Sequence, residues 1–192
     1  MLKLPLVTLV ACGSSKYRDS IKESMNKSSD LVDFADEILV IDDKIDSSDN
    51  YSKFVLFELD KFVKTPFALV VQNDSGVLRP EMWTDEFLKY DYIGAPWTPN
   101  THFTKNGIEV RVGNGGFSLR SKKLLTAFNE YNLPFIDNGT GFFHEDGLIC
   151  NYYREFLESR GFLFAPVDVA AQFSHEIDCP ETVPSFGYHR YK

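Results

Sequence analysis

Asp74 sits in Gln72-Asn73-Asp74-Ser75-Gly76, directly after the apolar run Phe67 to Val71. A carboxylate at the end of a buried strand can reach a divalent ion that bridges two phosphate oxygens, and Mn²⁺ and Mg²⁺ prefer such hard ligands. The same residues also make a good β-turn. A second acidic pair, Glu145-Asp146, opens an amphipathic stretch. There the helix dipole favours carboxylates without any function, and a general base is the functional alternative. His144 adds a titratable group beside them, while His189 reads from local sequence as a tail residue. Gly113-Asn114-Gly115-Gly116 offers backbone that a ligand can approach closely, or an ordinary tight turn. Asp42 and Asp43 close the run Glu37 to Ile41 and read either as ligands of a ribose or base, or as solvated loop carboxylates. Trp97 can stack on a sugar face or pack in the core.

A different chemistry is written in Cys12-Gly13-Ser14-Ser15-Lys16-Tyr17-Arg18, which matches C-x₅-R after a first apolar run. In Cys-dependent phosphatases that spacing holds a thiolate in a ring of backbone N–H groups with Arg on the phosphate. Asp19 stands where those enzymes carry Ser or Thr, and no Asp-Pro acid loop follows. Neither GxGxxG nor GxxxxGK[ST] occurs, which excludes the common dinucleotide and P-loop signatures.

The elements that must position these groups follow from periodicity. Leu6 to Ala11, Glu37 to Ile41 and Phe67 to Val71 are short, continuously apolar runs, as buried strands are. Between them, Tyr17, Ile21 and Met25 on the polar stretch Lys16 to Ser29, and Tyr51, Val55, Leu59 and Phe62, fall at helical spacing, with Thr65-Pro66 as a stop. This β-α-β-α-β order predicts an α/β fold with a mostly parallel sheet flanked by helices, whose ligands bind at the carboxyl ends of the strands. The second half reads as irregular strand and loop. Ser121 is expected to cap a helix carrying Leu124, Leu125 and Phe128, a longer helix is expected from Glu145 through Leu157 to Gly161, and Phe162 to Val167 reads as a short strand. No linker or repeat divides the chain, so one domain over 1–192 is expected, with halves of about 1–80 and 81–192.

With 20 Lys and Arg against 28 Asp and Glu, the net charge of −8 argues against a nucleic-acid partner. Hydrophobic residues at 43% exclude disorder. The 3 Cys residues form neither a disulfide framework nor a zinc pattern, which points to a reduced, cytoplasmic setting. Leu4 to Cys12 resembles a lipoprotein signal ending in Leu9-Val10-Ala11-Cys12, but Pro5 and the single Lys3 suit a first strand better, and no run is long enough to span a membrane. Asn26, Asn50, Asn73 and Asn138 begin sequons that matter only in a secreted chain.

Tyr51-Ser52-Lys53-Phe54, Gln72 to Gly76, Tyr90-Asp91-Tyr92-Ile93-Gly94-Ala95-Pro96-Trp97, Val112 to Arg120, Glu145-Asp146 and Phe186-Gly187-Tyr188-His189 together resemble a family of GT-A-type glycosyltransferases. The resemblance implies a GT-A-like, Rossmann-like fold, a nucleotide-diphosphate-sugar donor, taken as a UDP-sugar, and a Mn²⁺ or Mg²⁺ ion. It implies transfer with inversion to a hydroxyl of a glycan or glycoprotein acceptor. Asp74 would match the last carboxylate of the family's DxD metal motif, with Gln72 departing from its first, and His189 would match a further metal ligand. Asp146, with Glu145 beside it, would supply the base. Donor contacts would come from Val10, Ala11 and Cys12, from Asp42, Lys53 and Asp74, and from Gly115 and Gly116; sugar or acceptor contacts would come from Trp97 and Asn114. A non-catalytic nucleotide-sugar binding module is the alternative that Gln72 suggests, and the Cys12/Arg18 phosphatase is the other.

Overall fold

The computed structural model describes residues 1–98, 104–105, 108–109, 111–136, 144–177, 181 and 183–190, with 104–105 and 108–109 by backbone alone. Asn138 and Cys179 lie outside them. Strand β1 (Leu2–Gly13) leads through one 3₁₀ turn to α1 (Arg18–Ser29), then β2 (Val32–Ile41), α2 (Ser48–Phe57) and β3 (Phe67–Val71). β4 (Ser75–Val77) and β5 (Tyr92–Gly94) follow, then the backbone pair β6 (Thr104–Lys105) and β7 (Ile108–Glu109). Next come β8 (Phe117–Ser121), α3 (Lys122–Glu130), a single helical turn α4 (Glu145–Gly147), α5 (Arg154–Ser159), α6 (Val167–Phe173), β9 (Ser174–Glu176) and β10 (Gly187–His189).

The main sheet has the order β2-β1-β3-β8-β5. β1 pairs in parallel with β2 and β3, and β8 runs antiparallel to both of its neighbours. Alternation along the strands sorts the core. Leu9, Ala11, Leu69 and Val71 pack with Ile21 and Met25 of α1 and with Ala170 and Phe173 of α6. Val10, Cys12, Ala68 and Val70 pack with Val55 of α2 and Leu125 of α3. Helices therefore cover both faces, as a mostly parallel sheet requires. No described helix is long and apolar enough to cross a membrane.

Several boundaries differ from the periodicity, each for a physical reason. β2 begins at Val32 rather than Glu37, because Asp33, Asp36 and Glu37 are tolerated on an exposed edge strand, where charge also blocks further pairing. The β1–β2 register slips between Leu4 and Thr8, around Pro5, which has no N–H to donate. α2 stops at Phe57, and Leu59 lies in a separate 3₁₀ turn that leaves Phe62 exposed. The expected long helix after Glu145 is broken. Tyr153 N donates to Leu148 O at 2.8 Å, five residues back, so Leu148–Tyr152 is a wide π turn that swings Tyr152 out to solvent. Phe162 to Val167 is not a strand; Phe164 makes an isolated bridge to Tyr92.

A second, smaller sheet has the order β4-β10-β9. β10 lies in its middle, antiparallel to β4 and parallel to β9, with His189 opposite both Ser75 and Glu176. Residues directly opposite one another across a ladder have neighbouring Cβ atoms. Segments from distant parts of the chain thus share one row.

Candidate active site

β3 ends at Val71, and the chain turns at once: Ser75 N donates to Gln72 O at 3.3 Å, and Gln72 N donates to Ser75 Oγ at 2.8 Å. Gln72 to Ser75 is therefore a β-turn, and that turn carries Asp74 to the end of β10. Asp74 Oδ1 lies 3.4 Å from His189 Nε2, and Arg190 N donates to Asp74 O at 2.9 Å. The turn reading of Asp74 holds, and the turn sets its carboxylate beside His189. On the other side of the imidazole, Glu176 Oε1 lies 3.3 Å from Nδ1. His189 is 5% exposed, and among the described residues neither ring nitrogen has an aligned hydrogen bond. Burial pulls the imidazole down, but the two flanking carboxylates outweigh it and push it up to about 9. The Asp74 carboxyl is held low by His189, with burial opposing.

The second carboxylate cluster is built by β8 and α4. Gly116 O accepts from Gln72 N at 3.1 Å, which ties the start of β8 to the end of β3. Gly115 N donates to Asp146 Oδ2 at 3.0 Å, and Gly147 N donates to Asp146 Oδ1 at 2.7 Å. Both carboxylate oxygens are thereby fixed. Burial, and then the Glu145 charge, push the Asp146 carboxyl up to about 7 against the pull of those two donors. Glu145 itself is turned inward. Its Oε1 accepts from Arg120 Nη2 at 2.9 Å, and its N–H donates to Ser52 Oγ at 3.1 Å. Glu145 is thus a buried counter-charge for Arg120, with its carboxylate already engaged.

The two glycines of this loop make room for these side chains. A Cβ on Gly115 would overlap Glu145 Oε1, and one on Gly116 would overlap the His189 ring. Neither approach is possible for a real Cβ, so any larger residue must displace the site.

Gly115, Gly116, Glu145, Asp146, Glu176 and His189 line one cleft of about 730 Å³, together with Cys12, Trp97, Asn114, Ser47, Ser48 and Arg190. Of the residues singled out from the sequence, Cys12, Trp97, Asn114, Gly115, Gly116, His144, Glu145, Asp146 and His189 meet there; Asp74 does not line the cleft but lies 3.4 Å from His189, which does. Val10, Ala11, Asp42 and Lys53 do not line it. Val10 and Ala11 are core residues. Asp42 closes its own loop by accepting from Lys44 N at 2.9 Å, and Lys53 lies over the Phe135 ring at 4.9 Å. Burial pushes the Cys12 thiol well up, opposite to what a nucleophilic thiolate requires. Among the described residues no group of three or more His, Cys, Asp or Glu is arranged to hold a metal ion.

Sequence periodicity points to none of Glu176, Arg120 and Arg190. Glu176 lies on a three-residue strand too short for any period, and Arg120 reads as the polar end of β8 although it is fully buried. The available signal is the isolated charge in otherwise apolar Phe117-Ser118-Leu119-Arg120.

The sequence profile of one family matches residues 37–189, across both carboxylate clusters. The chain belongs to the family DUF5672, described as a protein of unknown function. No curated protein matches this family member. Its fold is similar to that of a glycosyltransferase involved in the glycosylation of the major capsid of PBCV-1, with a TM-score of 0.59 at 16% identity over 96% of this chain and 92% of that one. It is also similar to the apo-form glycosyltransferase GlyE in Streptococcus pneumoniae TIGR4, with a TM-score of 0.54 at 13% identity. That match covers 100% of this chain and 55% of the other, so the DUF5672 chain spans about half of that structure.

Proposed function

We propose that this protein is a GT-A-type glycosyltransferase that moves a sugar from a nucleotide-diphosphate donor, a UDP-sugar, to an acceptor hydroxyl with inversion. The observation that carries the reading is the meeting, in one cleft, of the Asp146 carboxylate with His189, whose Nε2 lies 3.4 Å from Asp74. The fold shared with two glycosyltransferases supports it.

In this reading Asp146 is the general base. Its carboxylate is fixed by two backbone donors and poised near neutral pH, where a base is both available and strong enough to act. The acceptor O–H gives its proton to Asp146 as the oxygen forms a bond to the anomeric carbon. The bond from that carbon to the diphosphate oxygen breaks, and its electron pair leaves with the nucleoside diphosphate. Glu145 is already held by Arg120, so a single displacement with inversion is the path we assign.

Asp74 and His189 would hold a divalent cation. Two buried, unaligned ring nitrogens next to a carboxylate fit such an ion, and Mn²⁺ suits a mixed imidazole and carboxylate pair. When bound it offsets the charge that develops on the departing diphosphate. Arg190, at the cleft and 3.6 Å from Asp74, is the side-chain cation we assign to the leaving group. Trp97 and Asn114 are left to contact the sugars.

The test is nucleoside diphosphate release from a panel of UDP-, GDP-, CDP- and dTDP-sugars with Mn²⁺, for wild type and Asp146→Asn. Base-selective release that Asp146→Asn abolishes supports the reading. Nucleotide binding without release from any donor would instead mark a binding module.

A further inference from the structure

We infer that Glu176 is a positioning residue that orients His189 for a divalent cation, and that it is itself oriented by the backbone of the Gly115-Gly116 loop through Asn114. The inference rests on the metal-assisted reading above.

Each polar atom along this row has one compatible role. Gly116 N–H can only donate, and it donates to Asn114 Oδ1 at 3.0 Å. That contact fixes which end of the Asn114 amide is oxygen. Nδ2 therefore points the other way, and it donates to Glu176 Oε2. A carboxylate is the one side chain in this place that accepts at both ends. Its second oxygen, Oε1, is left facing His189 Nδ1 at 3.3 Å. An acceptor there favours a hydrogen on Nδ1, so Nε2, on the side of Asp74 and 3.4 Å from it, is the nitrogen that would give up its proton to an entering cation. Metal-ligating imidazoles are commonly oriented in this way, by a carboxylate on the nitrogen that does not bind the ion.

Register provides the rigid frame. Glu176 and His189 are opposite one another on β9 and β10, and His189 packs so closely on Gly116 that no Cβ fits between them. The ring is held by the ladder below, the glycine on its face and the two carboxylates at its edges. Glu176 has only modest exposure, and among the described residues it makes no ion pair with Lys or Arg that would explain it as a surface charge. With Nδ1 facing Glu176, the buried Nε2, which lacks an aligned hydrogen bond to the described residues, is the nitrogen left for a further partner.

The probe is Mn²⁺ alone, without nucleotide, counted by electron paramagnetic resonance of the free ion during titration of the full chain. Glu176→Gln keeps the size but presents an amide N–H₂ where an acceptor is needed, so Mn²⁺ affinity is expected to fall about 10- to 100-fold. The paired swap of Asn114→Asp with Glu176→Gln restores the pattern. The carboxylate introduced at position 114 accepts both from Gly116 N–H and from the amide introduced at position 176, whose oxygen then faces His189. The pair is expected to recover most of the affinity. A merely structural role would not produce recovery by exchanging polarity at two positions. Wild-type affinity in Glu176→Gln, no recovery in a paired variant that melts like wild type, or no Mn²⁺ binding by wild type each overturns the inference. Failure of the transfer reaction is read separately, as absent nucleotide release with Mn²⁺ binding intact.

Discussion

Glu145 Oε1 lies 2.9 Å from Arg120 Nη2, and both side chains are almost wholly removed from solvent. Arg120 also donates from Nε to Ser118 Oγ at 3.0 Å and lies over the Tyr92 ring, and Glu145 is the carboxylate paired with this buried guanidinium. Removing one partner of such a pair costs about 3–5 kcal/mol, because the other charge is left in low dielectric. Glu145→Ala is therefore expected to lower the melting temperature by roughly 6–20 °C at this chain length. A calorimetric scan that finds a change below about 2 °C would mean that the guanidinium is compensated without Glu145.

Asp146 gives a kinetic prediction with a definite sign. Its carboxyl is pushed up to about 7, and a base acts only when ionised. Turnover is therefore expected to rise as pH increases through about 7 and then level off. Asp146→Asn is expected to cost about 10²- to 10⁴-fold in kcat. A rate that is flat across this pH range would assign the proton to another group.

The same shift bears on stability. The folded carboxyl holds its proton at pH values where the unfolded one, near 3.8, has lost it, so stability from this group is full below 3.8 and declines as pH rises to about 7. His189 adds a second decline. Its pKa is raised, so its contribution is complete below about 6.5 and is lost as pH rises through about 9. In chelator, wild type is expected to lose more stability between about pH 6 and about pH 9.5 than His189→Gln does. Denaturant midpoints at the two pH values measure this directly; equal losses in the two proteins would contradict the ion-pair description.

Gly116→Ala tests the packing of the loop on the imidazole. The added methyl group would overlap ring atoms, so it must push His189 off Asp74. Mn²⁺-dependent nucleotide release is expected to fall by about tenfold or more, the scale of losing a ligand's orientation, while the main sheet keeps its circular dichroism. Undiminished release would mean that the ring and the loop separate freely.

Cys12 and Cys150 are both buried, and burial pushes both thiols well up. In native protein near neutral pH, iodoacetamide is expected to leave both unmodified, as located by peptide mass mapping. Rapid alkylation of Cys12 would reopen the C-x₅-R reading.

The parts of the fold that can be read from residues alone are those whose signal is local. β3 is bounded by Thr65-Pro66 before it and a turn after it, and Ser121 does cap α3 by accepting from Leu124 N at 3.0 Å. β2 reads too short because edge strands carry charges that look like loop. The small sheet is not legible, since three strands of three residues each contain no period, and their pairing joins positions far apart in the chain. For the same reason Asp74 and His189 can be matched to a known pattern, whereas Glu176, which connects His189 to Asn114, has no pattern to match. Asp42 and Lys53 illustrate the converse: a carboxylate at a strand end and a lysine on a nearby helix point where their immediate neighbours take them, to Lys44 N and to Phe135.

β10 is the middle strand of β4-β10-β9, and this has a consequence for how the protein is made. β4 and β9 have no ladder with each other, so neither can pair until β10 arrives between them. Closing contacts of such long sequence separation is slow compared with local folding. A nascent chain that has emerged only through Glu176 already contains every strand of the main sheet, yet lacks the imidazole and the strand that aligns Asp74 with Glu176. The row that joins Asp74, His189 and Glu176 therefore forms only once β10 has been made, whatever part of the main sheet has folded before it.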